Sequence, residues 1–295
     1  MFKLLKRQTS GSIVCPACSQ LVKVEEPVCP HCGRQNPSIW GFARVLRTRG
    51  YDYGFISLVI WGCIGLYLAT LLVDVGGIRN SGALNLLSPS GRSLLLFGAT
   101  GAIPVFELDR WWSVLSSGWL HGGLLHIAFN LAWINDVGPF VAKLYGAGRL
   151  VLIYTVACII GSLLTSIAGE YFNELPDILH GASLSIGASG GIFGLFGALV
   201  AYGQITGDSA VGQKYWKYAV ILFLIGFIMP AVDNWGHFGG FLGGYAISRI
   251  PWLNPSTPEG HNHLLVAIAC LILTLLSIVV SVGHGLPLFM ALSNR

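Results

Sequence analysis

The chain has 295 residues and a formal net charge of +4, and 54% of its residues are hydrophobic while only 10% are charged. Soluble proteins carry about 25% charged residues, so this composition, with a mean hydropathy of +0.68, excludes an ordinary soluble domain and favours a protein that crosses a membrane several times. The lysines and arginines form no continuous basic face, which argues against nucleic-acid binding.

Two closely spaced cysteine pairs stand out in the polar N-terminal segment. The four residues form a C-x2-C…C-x2-C pattern, made by Cys15, Cys18, Cys29 and Cys32. Four thiolates at this spacing suit tetrahedral coordination of Zn²⁺, so we expect a short zinc-ribbon-like segment that folds around a structural zinc ion. A redox-active pair, or a remnant that has lost its metal, is the alternative.

Seven long apolar runs follow, each close to the roughly 20 residues that cross a bilayer. Only structures that satisfy their own backbone hydrogen bonds are stable in lipid, so each run predicts a transmembrane helix. The predicted helices cover residues 54–73, 122–142, 149–169, 187–203, 216–231, 235–250 and 264–282. The intervening residues 74–121 mix charged and aromatic residues, which predicts a large loop on or partly in the bilayer surface.

The positions of the basic residues predict the orientation of the chain. With the N-terminus inside, all of the 17 lysines and arginines lie on the inner side except Arg79, Arg92, Arg110 and Arg295. The positive-inside rule therefore predicts a cytoplasmic N-terminus and an external C-terminus. We expect a multi-pass protein of a bacterial cytoplasmic membrane.

Polar residues inside the apolar runs point to a functional site, because they are costly there. In this orientation the second, fourth and sixth predicted helices run inwards. Their polar residues, His126 and Asn130, Ser189, and His237, all lie within about three turns of the outer end. Three helices thus bring these groups to one depth in the membrane.

The residue types at this depth suit a serine nucleophile. Ser189 lies in the first turn of a predicted helix, where free backbone N–H groups favour an oxyanion. His237 is the expected general base. His126 and Asn130 are four residues apart on one helix face and are expected to hold the oxyanion, while Phe193 is expected to pack its ring against His237. The small neighbours that would leave the Ser189 hydroxyl open are Gly187, Ala188, Gly190 and Gly191.

Other functions fit the pattern less well. A transporter would use the polar residues as a permeation path, but no inverted repeat is visible and these residues gather near one face. The chain has no HExxH motif for a metalloprotease. Asp136 is the only carboxylate well inside an apolar run, so a two-aspartate mechanism lacks its partner.

Three stretches resemble the signatures of the rhomboid family of intramembrane proteases. They are His121-Gly-Gly-Leu-Leu-His126-Ile-Ala-Phe-Asn130, Gly187-Ala-Ser189-Gly190 and Gly236-His237-Phe-Gly-Gly240-Phe-Leu-Gly-Gly244, in the family's order. The resemblance covers roughly residues 54–282. It implies an all-α fold with a six-helix core and an additional C-terminal transmembrane helix. The implied activity is cleavage of transmembrane protein substrates near the outer face of the lipid bilayer, with no cofactor for catalysis.

The resemblance also assigns roles to individual residues. It implies that Ser189 is the nucleophile and His237 the base and then the acid, without the third acid of the usual triad. His126, Asn130 and the Ser189 backbone N–H would form the oxyanion hole, with His121 as a supporting histidine. The fifth helix matches the part of the family that gates substrate entry.

Three positions depart from the family pattern. The family loop usually has a Trp-Arg pair where Trp112 is followed here by Ser113, and the nearest arginine is Arg110. Phe193 stands where a tyrosine is common, and Ala142 where a glutamate is common. A catalytically silent relative that binds client helices is therefore the alternative, although both members of the dyad are present.

These interpretations divide the chain into four parts. We expect a zinc-ribbon-like segment at 1–38, a basic linker at 39–53, the rhomboid-like catalytic core at 54–250, and a further linker and transmembrane helix at 251–295.

Overall fold

The structure is a computed structural model that describes residues 7–82, 85–172, 174, 176, 179–229 and 232–293. The end of the predicted fifth helix, at residues 230 and 231, lies outside the described residues, as does Arg295.

Ten α-helices and four short strands make up the described secondary structure, apart from a few tight helical turns. In chain order they are β1 (Ser12–Val14), β2 (Leu21–Lys23), α1 (Ala43–Arg47), α2 (Phe55–Val73), β3 (Arg79–Ser81), β4 (Asn85–Ser88), α3 (Gly91–Phe97), α4 (Ser113–Ser116), α5 (Leu124–Tyr145), α6 (Ala147–Tyr171), α7 (Ser189–Thr206), α8 (Ser209–Ile228), α9 (Asn234–Ser248) and α10 (His261–Ser293).

The seven long helices correspond to the seven predicted apolar runs, which confirms the all-α fold class. Within the described residues, four helices are long and apolar enough by themselves to cross a membrane: α2, α6, α7 and α10. The other three, α5, α8 and α9, are shorter or more polar, and α9 has only 15 residues. The chain is therefore an integral membrane protein whose polar helices depend on their neighbours for burial.

Two predicted helix boundaries were wrong, and local capping accounts for the first of them. Helix α8 begins at Ser209 rather than at residue 216, since Gly207 takes a left-handed conformation with φ 78° and ends α7. The Asp208 carboxylate then accepts a hydrogen bond from the backbone N–H of Val211 at 3.2 Å, which caps α8. Helix α10 continues past residue 282 to Ser293, with Pro287 in its interior.

The predicted surface loop, residues 74–121, has internal order. Strands β3 and β4 pair antiparallel, and a turn of π-helix spans Ile103–Glu107. The loop is anchored to α10 by the Arg110 guanidinium, which donates to the carbonyls of Leu95 at 2.7 Å and Ser281 at 2.9 Å. The hydroxyl of Ser277 donates to the Trp112 carbonyl at 2.8 Å. Arg110 thus anchors the loop without the family's Trp-Arg pair.

Glycine brings α6, α7 and α9 into backbone contact. A Cβ atom on Gly161 of α6 would lie 2.6 Å from the Gly236 carbonyl oxygen of α9. A Cβ atom on Gly240 of α9 would overlap the Gly190 carbonyl of α7. Only glycine permits this approach, which is how helices pack closely without a hydrophobic driving force in lipid.

The N-terminal segment packs against the helical bundle at the end opposite these glycines. Ile13 of β1 and Val22 of β2 pair across the hairpin and join a buried cluster with Ala147 and Leu264, the starts of α6 and α10. Ala147 precedes Gly161 by 14 positions along α6, or about 21 Å. Ile39 and Ala43 belong to the same cluster, so part of the predicted linker at 39–53 is packed against the bundle.

Candidate active site and metal centre

Ser189 is the first residue of α7, and the segment before it is held by backbone pairing. The N–H of Ser185 donates to the Thr100 carbonyl at 2.6 Å, and the N–H of Gly187 donates to the Ser117 carbonyl at 3.0 Å. Gly187 has φ 130°, a conformation that L side chains rarely adopt. The surface loop therefore fixes the entry of the chain into α7 and exposes the first-turn N–H groups next to the hydroxyl.

His126 presents its Nε2 atom to this segment. The backbone N–H of Gly122 donates to Nδ1 of His126 at 3.3 Å, so the proton of the neutral ring is on Nε2. A Cβ atom on Gly187 would lie 2.8 Å from that Nε2 and 3.6 Å from the Ser189 hydroxyl oxygen. A side chain at Gly187 would therefore collide with His126, and the absence of one lets the donor Nε2 atom and the Ser189 hydroxyl lie close to the same point of the backbone.

His237 lies in the first turns of α9 and is held by a ring contact. Its imidazole stacks on Phe193 with ring centroids 4.1 Å apart and planes 13° from parallel. The side chain is buried, and its Nδ1 has no hydrogen-bond partner among the described residues. Among the described residues, no hydrogen bond joins the His237 ring to the Ser189 hydroxyl. The hydrogen bond between a catalytic serine and its base often forms only when substrate binds.

Asn130 and His121 border the same region. The amide nitrogen of Asn130 donates to the His126 carbonyl at 2.8 Å, one turn back in α5, which leaves one amide N–H for a ligand. Its Oδ1 is buried without a partner among the described residues. His121 is fully buried, with its ring centroid 5.1 Å from that of His126. It therefore buttresses the ring that faces Gly187.

Asp233, which our sequence reasoning missed, joins the elements that carry the serine and the histidine. Its Oδ1 accepts from the Gly236 backbone N–H and from the Thr165 hydroxyl of α6, both at 2.8 Å. Its Oδ2 accepts from the Ser185 hydroxyl at 2.5 Å. An aspartate directly before the first residue of a helix is a capping signal, and it could have been read from the sequence. The hydrogen bonds that join Asp233 to α6 and to residue 185 could not be read from the sequence.

The four N-terminal cysteines form a second candidate site. Their sulfur atoms all lie within 4.8 Å of one another, with Cys15 and Cys32 3.8 Å apart and Cys18 and Cys29 3.7 Å apart. A tetrahedral ion with Zn–S bonds of about 2.3 Å would separate its sulfurs by about 3.8 Å. This geometry fits a metal ion.

Two similar turns present these cysteines. The N–H of Ser19 donates to the Cys15 carbonyl at 3.0 Å, and the N–H of Gly33 donates to the Cys29 carbonyl at 2.9 Å. Burial opposes ionisation of Cys29, but hydrogen bonds from the backbone N–H groups of His31 and Cys32 and from the Cys32 and Cys15 thiols lower the pKa of the Cys29 thiol to about 6. Burial raises the pKa of the Cys32 thiol to about 12, so Cys29 is the one of the two that favours the metal-binding thiolate form.

The fold and the two sites define a class: a polytopic helical membrane protein with a serine and histidines gathered near one end of its helices and a cysteine cluster at the other. The Rhomboid domain family matches residues 108–253. The chain belongs to the rhomboid family. The sequence resemblance to that family is thereby confirmed.

Curated relatives come from a bacterium and a plant. Rhomboid protease GluP of Bacillus subtilis (strain 168) is 32% identical over 200 residues, which cover 66% of this chain and 33% of that protein. RHOMBOID-like protein 1 of Arabidopsis thaliana is 30% identical over 175 residues, 58% of this chain and 42% of the relative. Inactive RHOMBOID-like protein 8 of Arabidopsis thaliana is 31% identical over 163 residues, 53% of this chain and 43% of the relative.

The chain matches less than half the length of each of these three relatives. One of them is named a protease and another inactive. Family membership therefore favours an intramembrane protease or a silent relative over the transporter interpretation. Because the relatives come from a plant and a bacterium, a bacterial cytoplasmic membrane stays a prediction.

Proposed function

We propose that this protein is an intramembrane serine endopeptidase in which Ser189 is the nucleophile and His237 the general base. The observation that carries the proposal is the convergence of two groups beside Gly187. A point bonded to the Gly187 Cα lies 2.8 Å from Nε2 of His126 and 3.6 Å from the Ser189 hydroxyl oxygen, so a nucleophile and a hydrogen-bond donor from two helices border the same small region. A serine that only packs membrane helices together needs no donor of a second helix near its hydroxyl.

The proposed reaction is acyl transfer. The Ser189 oxygen attacks the carbonyl carbon of a substrate peptide bond while His237 takes the hydroxyl proton. The oxyanion is stabilised by His126, by the free amide N–H of Asn130 and by the Ser189 backbone N–H. His237 then gives the proton to the leaving amine. Water hydrolyses the acyl-enzyme by the reverse sequence, with His237 again as base, and restores the serine.

His237 needs orientation because no carboxylate hydrogen-bonds its ring among the described residues. The Phe193 ring restricts rotation of the imidazole by stacking on its face. Asp233 fixes the start of α9 one turn before the histidine. In this proposal, packing and capping replace the third member of a triad.

A transmembrane helix is the proposed substrate, and it enters beside α8. A cavity of about 850 Å³ lies between α8 and α9 and reaches His237 and Phe193. Its lining is mainly apolar and includes Trp216 and Phe238. This groove supports access from the lipid side, next to the helix that the family resemblance assigns to gating.

We propose that the cysteine cluster holds a structural Zn²⁺ ion on the cytoplasmic side. The cluster packs at the starts of α6 and α10, and the candidate active site lies near the opposite end of the bundle. With the N-terminus inside, as the basic residues predict, this separation places the cleavage site near the outer face. Zinc would supply folding energy to a segment too small for its own core.

The test is cleavage of single-span substrates by the protein reconstituted in lipid. The unchanged protein should cut, and Ser189→Ala should lose all detectable cleavage. Ser57→Ala, which changes an exposed serine of α2 that does not line the groove, should behave as the unchanged protein and serves as the matched control. Equal cleavage by Ser189→Ala would refute the mechanism. If the unchanged protein cuts no member of a substrate panel but retains client helices in a pull-down, the silent client-binding function replaces the proposal.

A further inference from the structure

A second cavity, of about 650 Å³, lies where the cysteine segment meets the helical bundle. It is bounded by the turn between α5 and α6 and by residues 255–259. Four basic side chains line it, and one acidic side chain does: Arg34, Arg47, Lys143, Arg149 and Glu259. The lining therefore has a net charge of +3, which stays positive, at +1, even if a zinc tetrathiolate beside it contributes two negative charges.

Arg34 is a buried arginine of this cavity, and some of its hydrogen-bond donors are unsatisfied in the described part of the chain. It is only 3% exposed, yet its Nε and Nη2 atoms have no hydrogen-bond partner among the described residues. Its nearest carboxylate oxygen, on Glu259, is 3.7 Å from Nη1, which is too long for a hydrogen bond. A buried guanidinium is stable only when hydrogen-bond acceptors satisfy its five N–H donors and an opposite charge lies beside it. The Arg34 side chain therefore needs a further anionic partner.

Glu259 provides only part of that match, an ion pair with Arg34 at 3.7 Å through Oε2, because its other oxygen is committed to α6. Its Oε1 accepts from the backbone N–H of Gly148 at 2.7 Å and of Arg149 at 3.1 Å, which caps the helix. The Arg149 guanidinium donates to the carbonyl and hydroxyl of Thr257 and to the Tyr145 carbonyl, but its Nε is also buried without a partner. Two buried guanidinium groups thus share a single, already bonded carboxylate.

We propose that this cavity binds a phosphate group, with Arg34 as its central ligand and Lys143 at its exposed mouth. The planar guanidinium fork suits bidentate binding of phosphate oxygens. The group belongs either to a lipid headgroup, since the cavity lies at the inner ends of the helices, or to a soluble phosphate compound. Because the cavity lies between the cysteine segment and α6, the bound anion joins the two. This proposal does not depend on proteolytic activity.

The binding test measures the melting temperature of the full-length protein in a phosphate-free maltoside detergent. Inorganic phosphate, compared with chloride at equal ionic strength, should raise the melting temperature by about 2 to 4 °C. A second arm uses dihexanoyl phosphatidic acid added to the same micelles. An effect of inorganic phosphate alone assigns a soluble ligand. An effect of the lipid alone assigns a headgroup, and no effect of either overturns the proposal.

Variants locate the effect at Arg34. Arg34→Gln should remove the response of the melting temperature to both probes, because it removes the guanidinium that binds the phosphate oxygens. Arg44→Gln, at an exposed arginine of α1 that does not line the cavity, should respond as the unchanged protein. Lys143→Gln changes an exposed side chain and should weaken binding of the probe at least threefold without altering the fold. The proposal is overturned if the melting temperature of Arg34→Gln responds fully to the probes. It is also overturned if Arg34→Gln lowers the zinc content while phosphate leaves the unchanged protein unaffected, since Arg34 would then only neutralise the thiolates.

Discussion

The imidazole of His237 lies face to face with the ring of Phe193, with centroids 4.1 Å apart and planes 13° from parallel. The two residues come from different helices, α9 and α7, and Phe193 is one helical turn after Ser189. The contact therefore sets the rotation of the imidazole relative to the helix that carries the nucleophile. Phe193 occupies the position where the family often has tyrosine, and its ring makes the stacking contact without a tyrosine hydroxyl.

Replacing Phe193 should impair catalysis more than substrate binding. Phe193→Leu should lower kcat by about tenfold with little change in KM, because a stacked aromatic pair contributes about 0.5–1.5 kcal/mol and orients the base. Phe193→Tyr should retain activity, since it keeps the ring. The measurement is cleavage kinetics in lipid. A Phe193→Leu protein with unchanged kcat would show that the stack does not position His237.

The backbone contact between α7 and α9 should tolerate no added methyl group. Gly240→Ala would place its Cβ against the Gly190 carbonyl and should lower the free energy of unfolding by about 1–3 kcal/mol while reducing cleavage. Gly283→Ala in α10 is the matched control, because a Cβ there has no neighbour within 4 Å. Alanine favours a helix over glycine, so this control should be neutral or slightly stabilising. Equal melting temperatures for the two variants would contradict the close packing.

Two helix-capping aspartates offer a paired comparison. Asp233→Ala leaves the Thr165 and Ser185 hydroxyls and the Gly236 N–H without their acceptor, so it should cost at least about 2 kcal/mol of stability and also reduce kcat. Asp208→Ala removes only the cap of α8 and should cost about 1 kcal/mol. Unfolding and cleavage should be measured on the same preparations. If the two variants lose the same stability and Asp233→Ala keeps full kcat, Asp233 is only a helix cap.

Acid should weaken the junction between α2 and α3. The Arg92 guanidinium, which donates to both Asp74 oxygens at 2.6 Å, lowers the pKa of that carboxyl from its ordinary value of 3.8 to about 2. A carboxyl with a depressed pKa stabilises the folded state above pH 3.8, and this contribution is lost as the pH falls from about 4 to about 2. Thermal unfolding of the unchanged protein should therefore become easier over this range. Asp74→Asn should show a smaller acid-induced loss, and parallel pH profiles for the two proteins would contradict the prediction.

Metal content should depend on the cysteine cluster and on no other thiol. The purified protein should contain about one zinc ion per chain, and Cys29→Ser should lose most of it, because four thiolates complete the tetrahedral site. Cys270→Ser, at a half-buried thiol of α10, should retain the full amount. Elemental analysis after removal of loosely bound metal provides the measurement. Equal zinc in both variants, or none in the unchanged protein, would reject a zinc site.

The sequence by itself determined the number of long helices, their order and most of their ends, because lipid requires about 20 apolar residues for each span. It also indicated which polar side chains share one depth, since helical rise and chain direction fix depth without tertiary contacts. The spacing of the four cysteines likewise predicted their grouping, because ligands close in sequence can converge within two tight turns.

Only the tertiary structure decided the contacts between residues that are far apart in the chain. Hydropathy does not show that Asp233 bonds to Thr165 and Ser185, that Arg110 reaches α10, or that Arg34 is buried beside Glu259. Each of these contacts depends on how helices rotate and approach one another, which the glycines of α6, α7 and α9 set through backbone contact. A periodic pattern gives the face of one helix, and the partner of that face is fixed only when the helices pack.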